Sequence, residues 1–230
     1  DTSSFSVVSD LGSDVDSPAV TIDNNSVGNV TLAGEVENPT GVTTVTNQGG
    51  DILGLPTAFL EGREITLEAL QGQIGEVGSR LGLRLYNDES NATVTAKANE
   101  GIYLETRLLE IGETDTPVSS GRIIDGVDFR SVVAGGDVDI RAVQAQVLVP
   151  AEDPGAGGTP TLTDVNGTYH LIGVTSTSGN VAVFNASGDL NLGSVRSPLG
   201  TTTLIASGSI VAANNGSAGE IGATSTVLEA

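Results

Sequence analysis

GNVTLAGEVENPTGVTTVTNQGGDIL, residues Gly28–Leu53, opens and closes on the same phrase. A glycine and a small polar residue lead into a β-branched or Leu residue, then into alternation. GNVTL (Gly28–Leu32) becomes GGDIL (Gly49–Leu53). The phrase returns as EGIYLE (Glu100–Glu105), GGDVDI (Gly135–Ile140), SGNVAVF (Ser178–Phe184), SGDLNLG (Ser187–Gly193) and SGSIV (Ser207–Val211). Gly28 to Gly50 is 22 residues, Gly50 to Gly72 is 22 again, and Gly188 to Gly208 is 20. Such a period, with short strands inside it, is the mark of a solenoid.

A second phrase accompanies the first. ITLEALQGQIGE (Ile65–Glu76) is similar to TTLIASGSIV (Thr202–Val211), and EIGATSTVLEA (Glu220–Ala230) repeats its opening. The wording predicts a further coil beyond Ala230. With no initiator Met, the sequence reads as a processed product or a piece of a longer array.

Composition points the same way. Val and Ile total 39 against 21 Leu, with 25 Thr and 20 Ala. β-Branched side chains suit a pleated surface and lose rotamer freedom in helices. There are 31 Gly, no Trp, and only four Phe and three Tyr, so the core is expected to be narrow and aliphatic. The expected fold is all-β: a right-handed parallel β-helix with coils of about 20–22 residues. Val, Ile, Leu and Ala form ladders along its axis, and Gly and Asn turn its corners, where positive φ is cheap for them. Thr57–Leu70 has a mild helical look, but ITLEA is read as a strand. Residues 1–20 form a connector or edge strand, and the shaft occupies 21–230. Loop insertions are expected near 108–125, which is acidic, and 150–167, which is rich in Pro and Gly.

Several function classes fall away. No Cys excludes disulfides, thiol catalysis and Cys-ligated metals. One His excludes a multi-His centre. A net charge of −20 repels phosphate backbones, so no nucleic-acid partner is expected. No apolar run is long enough to cross a bilayer as a helix.

The coils of Gly28–Leu53 resemble those of very large secreted bacterial adhesins of the filamentous-haemagglutinin-like type. ITLEALQGQIGEVGSRLGLRL (Ile65–Leu85), ATVTAKANEGIYLET (Ala92–Thr106) and the Ser187–Ile210 region are written in the same style. The resemblance covers about three quarters of the chain and is absent over Asp1–Pro18 and both insertions. It implies a β-helical shaft at the bacterial cell surface or outside the cell, used for attachment, aggregation or biofilm. It carries no catalytic residue to this chain. The expected partners are neighbouring coils or copies of the same protein, with surface glycans or extracellular matrix as targets.

Acidic side chains gather at Asp14, Asp16 and Asp23; at Glu110, Glu113 and Asp115; at Asp125 and Asp128; at Asp137 and Asp139; and at Glu152, Asp153 and Asp164. Calcium needs several hard oxygen ligands in one cage. Asp14 with Asp16, and Asp137 with Asp139, each place two carboxylates on one strand face and are the weak calcium candidates. A solvated acidic surface is the stronger reading. No other cofactor is expected. A polysaccharide-active enzyme would pair carboxylates in a groove; Asp125, Asp128, Arg130 and Asp139 are its least poor candidates. The nine basic residues are spread along the chain and aromatic platforms for sugars are scarce, so a non-catalytic role is preferred. His170 reads as a structural or surface residue. The Thr clusters lack the constant interval of an ice-binding face. Asn180 and Asn191 are expected to ladder at turns. The remaining alternative is a subunit that polymerises end to end into an extracellular filament.

Overall fold

The coils of this chain form a parallel β-helix. The structure is a computed structural model that describes residues 19–87, 90–111, 123–149, 161–212 and 220–230. No helix occurs among the described residues.

The first coil holds β1 (Ala19–Asn24), β2 (Val30–Leu32) and β3 (Glu35–Val36). The second holds β4 (Val42–Asn47), β5 (Ile52–Gly54) and β6 (Phe59–Gly62). The third has β7 (Glu64–Ala69) and β8 (Leu81–Asn87), with Ile74 bridging Ile52 and Ile102 between them. Then come β9 (Ala92–Ala98) and β10 (Ile102–Ile111), β11 (Ile123–Ala134) and β12 (Val138–Val149). β13 (Thr161–Asp164) lies antiparallel on β12, and β14 (Asn166–Ser176) and β15 (Val181–Asn185) resume the coil. β16 (Leu190–Ala206), β17 (Ile210–Ala212) and β18 (Glu220–Glu229) follow. Thr57–Leu70 therefore carries two strands.

Hydrogen bonding links most strands into one sheet of 16. It runs along one face through β1, β4, β7, β9, β11 and β14 to β16, then returns along the other through β15, β12, β10, β8, β6 and β3. β16 turns the corner: its first half pairs with β14 and its second half with β15.

Alternation decides what each strand buries. VTTVTN in β4 alternates half-buried with buried, because neighbouring side chains leave opposite faces of a strand. Val20, Thr43, Ile65, Val94, Phe129, Leu171 and Leu192 stand on successive rungs and are all buried. Ile22, Val45, Leu67, Ala96, Val132, Val174 and Val195 form the next ladder. Ile52, Ile74, Ile102, Val138, Val181 and Thr202 line another wall. Each fully buried aliphatic side chain contributes about 1.5–3 kcal/mol. At about 4.8 Å per rung, Val20 to Leu192 spans roughly 30 Å of axis.

The core is not wholly aliphatic. Tyr169 and Phe129 are its largest fully buried side chains, their rings stacked with centroids 6.1 Å apart. They sit where the coil is widest: β10, β11, β12 and β14 have 10 to 12 residues, whereas β2 and β5 have 3. A wide coil has room that the early coils lack.

The outer residues of both expected insertions are strand. β10 reaches Ile111 and β11 starts at Ile123, while β13 and the start of β14 occupy much of 161–167. Residues 112–122 and 150–160, and the expected connector up to residue 18, lie outside the described residues. β1 begins at Ala19, inside the span assigned to that connector.

The corner glycines serve a different purpose from the one expected. Among the described glycines, φ is positive only at Gly75 and Gly188. Most of the rest, though not Gly34 or Gly78, stand where a neighbour approaches closely. A Cβ on Gly72 would sit 2.6 Å from the Gly50 carbonyl and overlap the Asp51 carboxylate. One on Gly179 would sit 2.7 Å from the Asp137 amide and overlap the Asp137 carboxylate.

Candidate functional site

At several corners the polar residue after the glycine reaches across to the next coil. Asn29 Oδ1 accepts the Asp51 amide at 3.0 Å, and Asp51 Oδ1 accepts the Gln73 amide at 3.0 Å, both 22 residues on. Asp137 Oδ1 accepts the Asn180 amide at 2.7 Å, and Asn180 Oδ1 accepts the Thr201 amide at 2.9 Å. Asp189 Oδ1 accepts the Ser209 amide at 2.6 Å. Asp137 thus works as a corner acceptor. Asn180 belongs to this ladder, whereas Asn191 lies in β16, 3.4 Å from His170 Nδ1.

The other sequence candidates are dispersed. Asp139 pairs with Arg80 and lies 3.5 Å from Arg141 Nε. Asp128 accepts from Asn91 Nδ2 at 2.9 Å and lies 3.8 Å from Arg130 Nε. Asp128 and Arg130 belong to β11, on the opposite face from the β12 residue Asp139. Among the described residues, no three His, Asp or Glu side chains gather as a metal site. Asp14 and Asp16, and the side chain of Asp125, lie outside the described residues.

The fold brings together something the linear order hides. Phe59, Gly82, Glu105, Arg141 and Phe184 occupy successive rungs of β6, β8, β10, β12 and β15. Beside them run Glu61, Arg84 and Arg107. All lie on the outer side of their strands, where Glu61 and Gly82 are covered by their neighbours and the others are half-buried or exposed. The Phe59 ring leans over Gly82, whose missing side chain makes room for it: a Cβ there would lie 2.7 Å from the ring. The guanidinium carbons of Arg84 and Arg107 stand 5.1 and 4.9 Å from the ring centroid, within cation–π reach. A cavity of about 170 Å³ opens beside the ring, lined by Pro56, Ala58, Phe59, Ser79, Arg80 and Glu105 with Gly78 and Gly82.

Every cation on this face has a carboxylate. Arg80 pairs with Asp139, Arg84 with Glu61, and Arg107 with Glu105 at 3.4 Å; Arg84 also lies 3.9 Å from Glu35. Burial pushes the Glu61 carboxyl above its ordinary value, and the Arg84 guanidinium offsets only part of that rise. Burial acts in the lowering sense on Arg84 too, but there Glu61 outweighs it and the guanidinium is held up. Burial also raises the Tyr86 phenol, helped by the charge of Glu61.

The basic residues looked scattered and the aromatics too few. In three dimensions Arg80, Arg84, Arg107 and Arg141 share one face with Phe59, Tyr86, Tyr103 and Phe184. The signal was present in alternation: FLE, GLRLY and ETR place these side chains two apart on their strands. It becomes readable only when the rungs are aligned.

Comparison with protein-family models, curated proteins and solved structures gives no match.

Proposed function

We propose that this chain is a structural and adhesive shaft segment of a secreted or surface-exposed bacterial adhesin, with no catalytic role. The observation that carries the reading is the unbroken inward ladder from Val20 to Leu192. A fold whose successive coils repeat the same contacts gains length without redesign and suits a spacer that holds binding surfaces away from a cell. The resemblance of Gly28–Leu53 and Ser187–Ile210 to coils of filamentous-haemagglutinin-like adhesins supports the same reading. The acidic surface keeps such a rod soluble and discourages nucleic-acid contact.

Beads coated with the purified chain test the proposal. They are expected to attach to epithelial cells, or to one another, well above albumin-coated beads. Attachment and clumping equal to the albumin control overturn it.

A further inference from the structure

We infer that the outer face of β6, β8, β10, β12 and β15 is a glycan-binding strip that takes a neutral oligosaccharide chain lying along the solenoid axis. The inference rests on the adhesive reading above and names its ligand class.

Three observations carry it. First, the aromatic side chains are segregated. Of the described ones, Phe129 and Tyr169 are buried in the core, whereas Phe59, Tyr86, Tyr103 and Phe184 all lie on this face. Phe184 is 40% exposed in a strand whose inward residues are fully aliphatic or Asn. An exposed ring offers a negative π-face, which accepts the polarised C–H groups of a pyranose. Second, the strip is rich in planar hydrogen-bonding groups already held in place by ion pairs. Glu105 with Arg107, and Asp139 with Arg141, present acceptors and donors side by side at 3.4 and 3.5 Å. Sugar hydroxyls can use both at once. Third, the cavity beside Phe59, about 170 Å³, is of the size of a single sugar ring. It combines an aromatic wall with Arg80, Glu105 and Ser79, the mixture of apolar surface and a few fixed polar groups expected of a small-molecule site.

The spacing suits a polymer. From Phe59 to Phe184 the rungs advance about 4.8 Å each, roughly 19 Å in all. Each step is close to the rise of one pyranose residue in an extended chain. A sugar seated beside Phe59 therefore leaves its chain running over Glu105 and Arg141 to a ring stacked on Phe184. The charge balance selects a neutral chain. Arg80, Arg84, Arg107 and Arg141 stand against four carboxylates, Asp139, Glu61, Glu105 and Glu35, so the strip holds no surplus positive charge. The chain as a whole carries −20, which repels uronates, sulfated glycans and phosphates alike.

The test titrates the whole chain with three hexasaccharides: β-1,4-linked glucose, β-1,4-linked N-acetylglucosamine, and galacturonate. Binding is followed by calorimetry. At least one neutral hexasaccharide is expected to bind. Phe184→Ala, at an exposed position, is expected to weaken it tenfold or more, and Phe59→Leu likewise. Circular dichroism checks that both variants keep the fold. The inference is overturned if neither neutral hexasaccharide binds, if both variants bind as the parent does, or if galacturonate is preferred. The bead assay separates this from the shaft proposal. Beads that adhere while no hexasaccharide binds leave the shaft standing and remove the strip. Hexasaccharide binding without adhesion removes the adhesive role and keeps the strip.

Discussion

Asn47 and Asn185 occupy equivalent places at two distant corners of the solenoid. Asn47 Nδ2 donates to the Asp51 carbonyl at 2.7 Å and to the Gly28 carbonyl at 3.1 Å. Asn185 Nδ2 donates to the Asp189 carbonyl at 2.9 Å and to the Gly167 carbonyl at 3.0 Å. Each side chain is fully buried, closes its own turn and ties it to the coil before. The sequence marks both with the same wording, NQGGDI and NASGDL.

Replacing either asparagine should therefore be expensive for so small a change. Asn185→Ala leaves two carbonyls without that donor, and each buried polar group left unmet costs about 1–3 kcal/mol. The expected loss is about 2 kcal/mol or more, with amide hydrogen exchange accelerated first around Gly167 and Asp189. Exchange that speeds up evenly along the chain would contradict a local role, because solenoid coils contact only their neighbours.

The corner glycines give a sharper expectation. Gly72→Ala forces a methyl against the Gly50 carbonyl and the Asp51 carboxylate, so the two coils must part. Overpacking of this kind costs about 1–3 kcal/mol. Gly78→Ala is the control, since nothing lies within 4 Å of the added carbon. Thermal melts should show the first variant clearly destabilised and the second close to the parent.

Glu61 predicts a pH dependence of definite sign. Its folded-state carboxyl is raised, chiefly by burial, so the folded chain holds that proton more tightly than the unfolded chain. The stabilisation it brings is fully present below the ordinary carboxylate value. It is lost as pH rises through the raised one. Urea unfolding of the parent minus Glu61→Gln should show this difference falling across that window, then levelling. A difference that rises with pH would mean that Arg84 dominates and that the group is depressed.

Tyr169 carries the opposite sort of expectation. Its hydroxyl is buried and does not reach full hydrogen-bond geometry with any partner, although Thr106 stands close enough to draw its pKa slightly back from the large rise that burial causes. Tyr169→Phe removes a poorly satisfied polar atom and keeps the stacking on Phe129. Stability should stay the same or rise by about 1 kcal/mol, read as an unchanged or higher melting temperature.

The repeat was legible because local and global demands coincide in the early coils. The glycine interval of 22 residues is the interval at which Asn29, Asp51 and Gln73 join their corners. The role of those glycines was not legible, since flexibility and close approach ask for the same residue. The outer strip was hidden for a different reason. Arg84 and Arg107 are neighbours at an ordinary coil interval, but Glu105 pairs with Arg141 across a much longer one. A register shift between Thr106 and Arg107 moves the alignment again. Counting along the sequence cannot see across either irregularity. Buried aromatics were missed because the wide middle coils have no counterpart in the Gly28–Leu53 phrase.

The corner ladder has a polarity. In every described link, the side-chain oxygen belongs to the earlier coil and the backbone amide to the later one. A finished coil thus offers a row of waiting acceptors to whatever chain arrives next, and the arriving chain brings its donors ready-made in its backbone. Growth from the N-terminal side has a template at each step, and growth from the other side must first set a side chain in place. Pulse-labelled exchange would reveal this as an order in time. Asp51→Ala should delay protection of the Gln73 amide while leaving that of Asp51 itself unchanged.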